Sequence, residues 1–123
     1  MGQTLNQGGI MANDCLFCKI IAGTIPYNKV YEDDEVLAFR DIAPQAPTHV
    51  LVIPKKHITG PAAVTEEDDS LMGRLLRAAR QVADREGLSD YRLVCNNGAG
   101  VGQSVFHLHL HILGGRPMGW PPG

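Results

Sequence analysis

Two hydrophobic periods run along the chain, one of about 3.6 residues and one of two, and together they predict its elements. Leu16, Phe17, Ile20 and Ile21 fit one short helix that Asn13 or Asp14 can cap and Gly23 can end. Lys29 to Glu32 and Val36 to Arg40 flank the acidic turn Asp33-Asp34 and predict a hairpin. Pro44 and Pro47 make residues 42–47 a loop, after which His49 to Ile53 is nearly all apolar, the mark of a central strand, closed by Pro54. Beyond Gly60-Pro61, Thr65-Glu66-Glu67-Asp68 supplies a capping hydroxyl and three carboxylates for a long helix. Its buried stripe is predicted as Leu71, Met72, Leu75, Leu76, Ala79, Val82 and Ala83, and Gly87 ends it. Tyr91 to Cys95 and Val105 to Leu113 read as two more strands, joined by the glycine-rich loop Asn96 to Gly102. Connections this short leave no room for several crossover helices, so an α+β fold with a five-stranded, mainly antiparallel sheet, one long helix and one short helix is expected.

Composition narrows the class. The 123 residues, 44% apolar and 20% charged, suit one globular domain, and residues 12–123 are assigned to it. Residues 1–11 are small and polar and are expected to be a disordered tail. Eleven Lys plus Arg against 13 Asp plus Glu argue against a basic nucleic-acid footprint. No apolar run is long enough to span a bilayer, and the first ten residues lack the pattern of a secretory signal, so a soluble, cytoplasmic protein without a membrane partner is expected. Three cysteines, two of them in the pair Cys15-x-x-Cys18, fit a reducing compartment better than a disulfide framework.

The chemistry concentrates near the C-terminus. His107, His109 and His111 alternate with Leu108, Leu110 and Ile112, so on a strand all three imidazoles share one face. At about 3.4 Å per residue, His107 and His111 stand about 13 Å apart along the strand, too far for all three to bind one ion. At least one is left for nucleophilic or acid–base work. Gly98, Gly100 and Gly102 precede Gln103 and Ser104, and the amides of Gly102, Gln103 and Ser104 with the Ser104 hydroxyl are expected to hold a phosphate near His109.

His107-Leu108-His109-Leu110-His111-Ile112 resembles the signature of the histidine triad (HIT) family. Ala38 to His49, Val52 to Ile58, Gly102 to Val105 and the ending Leu113 to Gly123 resemble the branch of histidine triad nucleotide-binding proteins, in the same order, so the similarity spans about Cys15 to Gly123. That resemblance implies a purine nucleoside phosphoramidase that releases AMP from adenosine 5′-phosphoramidates and aminoacyl adenylates. It implies His109 as the nucleophile that forms a nucleotidyl-imidazole, and His111 and Ser104 at the phosphate or leaving group. His107 and His49 would orient the nucleophile. Asp41 would accept the ribose hydroxyls, Ile42 and Phe17 would wall the base, and Asn96 would sit on the phosphate side. It also implies a homodimer with a ten-stranded sheet, joined through the long helix and an edge strand, with the Trp120-Pro121-Pro122-Gly123 tail reaching the partner's site.

No metal is demanded by this chemistry. Cys15 and Cys18 with His49 and His107 nevertheless offer the four ligands of a structural zinc site, an arrangement that some relatives use. His57 is read as a loop residue and Cys95 as strand packing. Two hydrolase readings stay open at this point, a phosphoramidase and a dinucleoside polyphosphate hydrolase. So do a nucleotide-binding or scaffolding module with incidental hydrolysis and a zinc protein whose triad is a ligand set.

Overall fold

The computed structural model describes residues 14–123, so Asn13 and the expected disordered tail lie outside the described residues. The elements run α1 (Leu16–Ile21), β1 (Lys29–Glu32), β2 (Val36–Arg40), β3 (Thr48–Pro54), α2 (Asp69–Arg85), β4 (Tyr91–Val94) and β5 (Leu110–Gly114). The sheet is five-stranded in the order β1-β2-β3-β5-β4, and every neighbouring pair is antiparallel. The α+β architecture expected from the periodicity is the one found.

Apolar residues of both parities explain the central position of β3. Val50 and Val52 face α2 together with Val36, Ala38, Leu75, Ala79, Val82 and Ile112. Leu51 and Ile53 face the other way, against Phe17, Ile20, Leu37 and Phe39. Both faces of the inner strands are therefore covered, one by α2 and the other by α1 and the segment that follows it, and a strand buried on both faces reads as a continuous apolar run.

Three local expectations change. The N-cap of α1 is Cys15, whose sulfur accepts the Cys18 N–H at 3.4 Å, in place of Asn13 or Asp14. Leu76 is 56% exposed, because the buried stripe of α2 runs through Leu75, Ala78, Ala79, Val82 and Ala83 and leaves Leu76 on its flank. The last strand begins only at Leu110 and not at Val105. Its ladder to β3 stops at the pair Val52 and Leu110. Two residues on, Pro54 has no N–H to give, and its carbonyl is taken by the His107 ring at 2.7 Å. The segment carrying His107 and His109 is thus outside the ladder, held by the His107 ring on Pro54 and by the Leu108 N–H on the Ile58 carbonyl, while His111 lies in the sheet opposite Leu51, on the α1 face.

Candidate active site and metal centre

The β3–β5 register decides which histidines meet. His49 lies opposite Leu113 and Leu51 opposite His111, so His49 and His111 are close neighbours on the same face of the sheet. Continuing the same register past the end of the ladder brings the residues after Pro54 alongside His107, and the Leu108 N–H bonds the Ile58 carbonyl at 2.6 Å. The five histidines therefore form two groups.

In the first group the tautomers follow from the backbone. The Gln45 N–H donates to His49 Nδ1 at 3.0 Å, so the proton of neutral His49 is on Nε2. That Nε2–H reaches His111 Nδ1 at 2.8 Å, which leaves the His111 proton on its own Nε2. An Asp41 carboxylate oxygen stands 3.5 Å from His49 Nε2, while the other accepts the Ala43 N–H at 2.8 Å. His109 Nδ1–H donates to the His107 carbonyl at 2.7 Å, so its Nε2 keeps a free lone pair. The His109 ring lies 5.1 Å from that of Phe17 and 5.0 Å from that of His111, both edge-on.

Burial sets the charge of these rings. It pushes His111 down to about 4, helped by the neighbouring His109 and His49, and it lowers His109 and His49 as well, against the opposing pull of Asp41. All three are neutral at pH 7, and a neutral imidazole is the form that can attack phosphorus. A stability prediction follows for His111. The unfolded chain takes up its proton as pH falls through 6.5, while the folded one resists until about 4, so this contribution is full above 6.5 and is lost between those values. In denaturant unfolding at pH 7, 6 and 5, the His111→Asn variant should lose less stability on acidification than the parent. The difference in slope should approach, at most, about 1.4 kcal/mol per pH unit. Parallel slopes would show that His111 is freely protonated in the fold.

Phe17, Asp41, Ile42, Ser104, His109 and His111 line one cavity of about 340 Å³, whose remaining wall is apolar, built by Ile20, Tyr27, Phe39 and Leu51 among others. Two larger, more open clefts of about 610 and 540 Å³ contain no triad residue. Six of the expected nucleotide-site residues are thus brought together. Gly102, Gln103 and Asn96 do not line the cavity. The Gly102 and Gln103 amides are spent within their own loop, on Ala99 and Gly98 carbonyls at 3.1 Å each. The buried Gln103 side chain accepts the Gly98 N–H at 2.7 Å and donates to the Thr59 and Val105 carbonyls, so it braces the loop from inside. Of the expected anion nest, Ser104 is the member that faces the cavity.

The second group corrects the expected zinc set. His49 is not part of it, because the register places it beside His111, and His57 takes its position. Cys15 Sγ and Cys18 Sγ lie 3.4 and 3.6 Å from His107 Nδ1, Cys18 Sγ lies 3.4 Å from His57 Nδ1, and the two Nδ1 atoms are 3.2 Å apart. A tetrahedral zinc with ordinary bond lengths has N–N edges of about 3.3 Å and N–S edges of about 3.6 Å. His107 is also in the ligand tautomer, since its Nε2–H is given to Pro54 and its Nδ1 lone pair points at the sulfurs. Burial and the neighbouring Cys15 push the Cys18 thiol up to about 12, so two thiolates here call for a cation between them. The four side chains fit zinc. The 2.8 Å contact of His49 with His111 is shorter than such an N–N edge and is a hydrogen bond. In the sequence, the signal for His57 was its place just after the strand that pairs with the triad segment. Cys95, expected to pack in a strand, lies just past β4 and is exposed.

Comparison with known proteins decides the family. The sequence profile described as HIT domain matches residues 22–118. The chain belongs to the HIT family. This HIT protein is 60% identical over 114 residues, 92% of its length and all of the relative's, to an uncharacterized HIT-like protein of Synechocystis. It is 55% identical over 111 residues, 88% of its length and 87% of the relative's, to a 14 kDa zinc-binding protein of Zea mays. Its fold superposes on a HIT family hydrolase from Legionella pneumophila with a TM-score of 0.86 at 57% identity, covering 89% of this chain and 99% of the other. No helix among the described residues is long and apolar enough to cross a membrane.

Proposed function

We propose that this HIT protein is a hydrolase acting on purine nucleoside phosphoramidates, releasing AMP from adenosine 5′-phosphoramidates and aminoacyl adenylates through a covalent nucleotidyl-histidine. The observation that carries the reading is the fixed tautomer of His109, whose Nδ1–H is tied to the His107 carbonyl while its Nε2 is free in a cavity wide enough for a nucleoside. His109 Nε2 attacks the α-phosphorus, a P–N bond to the imidazole forms, and the bond to the leaving amine breaks. The departing nitrogen takes a proton from His111 Nε2. With substrate bound, the His49–His111 pair, joined by its 2.8 Å bond, carries one proton more than its neutral form, a positive charge that Asp41 stabilises, and giving that proton to the amine returns the pair to neutral. The negative phosphate favours that charged state further, so protonation of the pair is coupled to substrate binding. Water then cleaves the nucleotidyl-imidazole, returns His109 to its starting form and releases AMP.

Phe17 and Ile42 flank the base in this reading, Asp41 takes the ribose hydroxyls, and Ser104 holds the phosphate. Asn96, Gly102 and Gln103 support the loop that carries Ser104. Cys15, Cys18, His57 and His107 hold a structural zinc, which supplies charge neutralisation for two thiolates and takes no part in the reaction. A second copy of the chain pairs along β4, an open edge of the sheet, to give a homodimer with a ten-stranded sheet. The Trp120 tail, with its tryptophan 85% exposed, is directed to the partner.

The covalent step is tested by mixing the protein with radiolabelled adenosine 5′-phosphoramidate and quenching in base, where a phosphoramidate linkage survives. Protein-bound AMP should rise within one turnover and decay as free AMP appears. Free AMP formed with no bound nucleotide at any time would replace the covalent path by direct attack of water.

A further inference from the structure

The metal centre and the nucleotide cavity are joined by two physical connections. The first runs through His107. Its ring belongs to the Cys15-Cys18-His57-His107 group, and its backbone carbonyl accepts the His109 Nδ1–H at 2.7 Å. The second runs through α1. Phe17 sits between the two cysteines, its ring packs edge-on against both His107, at 5.9 Å, and His109, at 5.1 Å, and it also lines the nucleotide cavity. Cys15 is the N-cap of this helix, so its sulfur already fixes the first turn from which Phe17 projects.

α1 has only six residues, too short to hold its shape alone, and it is joined to the sheet through the side chains of Phe17 and Ile20. The triad segment before Leu110 is likewise outside the ladder, tied by the backbone bond from the Leu108 N–H to the Ile58 carbonyl, by the His107 ring on Pro54 and by the convergence of sulfur and nitrogen atoms. Two pieces of chain that lie outside the strand ladder therefore meet at the four metal-binding side chains, and each carries one wall of the nucleotide site.

We infer that Cys15, Cys18 and His57 are positioning residues for the nucleotide site, and that a bound zinc sets the place of Phe17 and of the His107 carbonyl that orients His109. This rests on the metal and nucleotide readings given above. Ligand-shell changes of this kind alter activity by about 10 to 100-fold, and a displaced nucleophile loses turnover on the same scale. Phe17 and His109 act on different quantities, the first on nucleotide binding and the second on turnover, so both should move.

The test compares metal-free protein, protein reloaded with one equivalent of zinc, His57→Ala and His57→Cys. Zinc uptake is measured by competition with a chromophoric chelator, AMP affinity by calorimetry, and the His109 Nδ1–H by nitrogen-proton NMR. Metal-free protein and His57→Ala should bind AMP about tenfold more weakly, lose kcat by a similar factor or more, and show a broadened or shifted His109 Nδ1–H signal. Zinc should restore the parent, and His57→Cys, which keeps a ligand, should retain most of both properties. Stoichiometric zinc uptake with the same AMP affinity, kcat and His109 signal in loaded and metal-free protein would overturn the inference and leave the metal reading intact. Absence of zinc uptake at micromolar free zinc would overturn both. If His57→Ala does not fold, the chelated parent decides. Loss of its helical circular dichroism on chelation would also overturn the inference, since the metal would then hold the whole fold and not the site.

Discussion

Replacing His109 by alanine should abolish AMP release from adenosine 5′-phosphoramidate, with kcat falling by about 10⁴-fold or more. The size follows from the role. A positioning group leaves a slower version of the same path, whereas loss of the nucleophile removes the covalent intermediate and leaves only binding and the electrostatics of Ser104 and His111. AMP affinity should change far less, within about tenfold, because the ring contributes one edge-on contact with Phe17 to a cavity lined by many other side chains. The pairing of lost turnover with retained binding is the diagnostic result. Comparable rates for His109→Ala and the parent, in a folded protein, would transfer the activity to another group. Tight AMP binding with no turnover in the parent itself would make the protein a nucleotide-binding module.

Gln103→Glu should be the most damaging substitution in the glycine-rich loop, costing about 3 kcal/mol or more in denaturant unfolding. The amide nitrogen donates to two carbonyls, Thr59 at 2.7 Å and Val105 at 3.1 Å, and the residue is only 4% exposed. A carboxylate there faces two carbonyl oxygens with no proton to give. Burying unsatisfied groups costs about 1 to 3 kcal/mol each, and more when one is charged. The effect on catalysis should be indirect. Ser104 is the next residue, so a loosened loop should raise KM through poorer phosphate contact before it lowers kcat. A phosphate ligand role for the Gln103 side chain predicts the opposite pattern, with stability near the parent's and affinity sharply reduced.

The two histidine groups show where sequence reasoning reached and where it stopped. Alternation of His107, His109 and His111 with apolar residues marked the cavity that His109 and His111 line, because a period of two is local to the chain. The same pattern suggested a continuous strand from Val105, which the structure does not have. Pro54 breaks the ladder from the neighbouring strand, a constraint that lies more than 50 positions away in sequence. The zinc set failed for a related reason. Cys15, Cys18 and His107 do converge, but the choice between His49, near the start of β3, and His57, just past its end, depends on the β3–β5 register. Gln103 was read as part of an anion nest because its neighbours are glycines, and only packing showed its amide turned inward to Thr59 and Val105.

By itself, then, the sequence determined the α+β class, the central strand, the long helix, the triad and the presence of a cysteine pair suited to metal. Each of these is written in short-range periodicity or residue type, which act over one or two turns of chain. Only the tertiary structure decided that the five histidines divide into a hydrogen-bonded pair, His49 and His111, a ring tied to the His107 carbonyl, His109, and two rings that converge with the cysteines, His57 and His107. The tautomers are fixed by which backbone group occupies each ring nitrogen: the Gln45 N–H on His49, the His107 carbonyl on His109, the Pro54 carbonyl on His107. A hydrogen bond from one end of an imidazole selects the chemistry of the other end. That selection is made by partners up to 53 residues distant, brought into place by the pairing of strands.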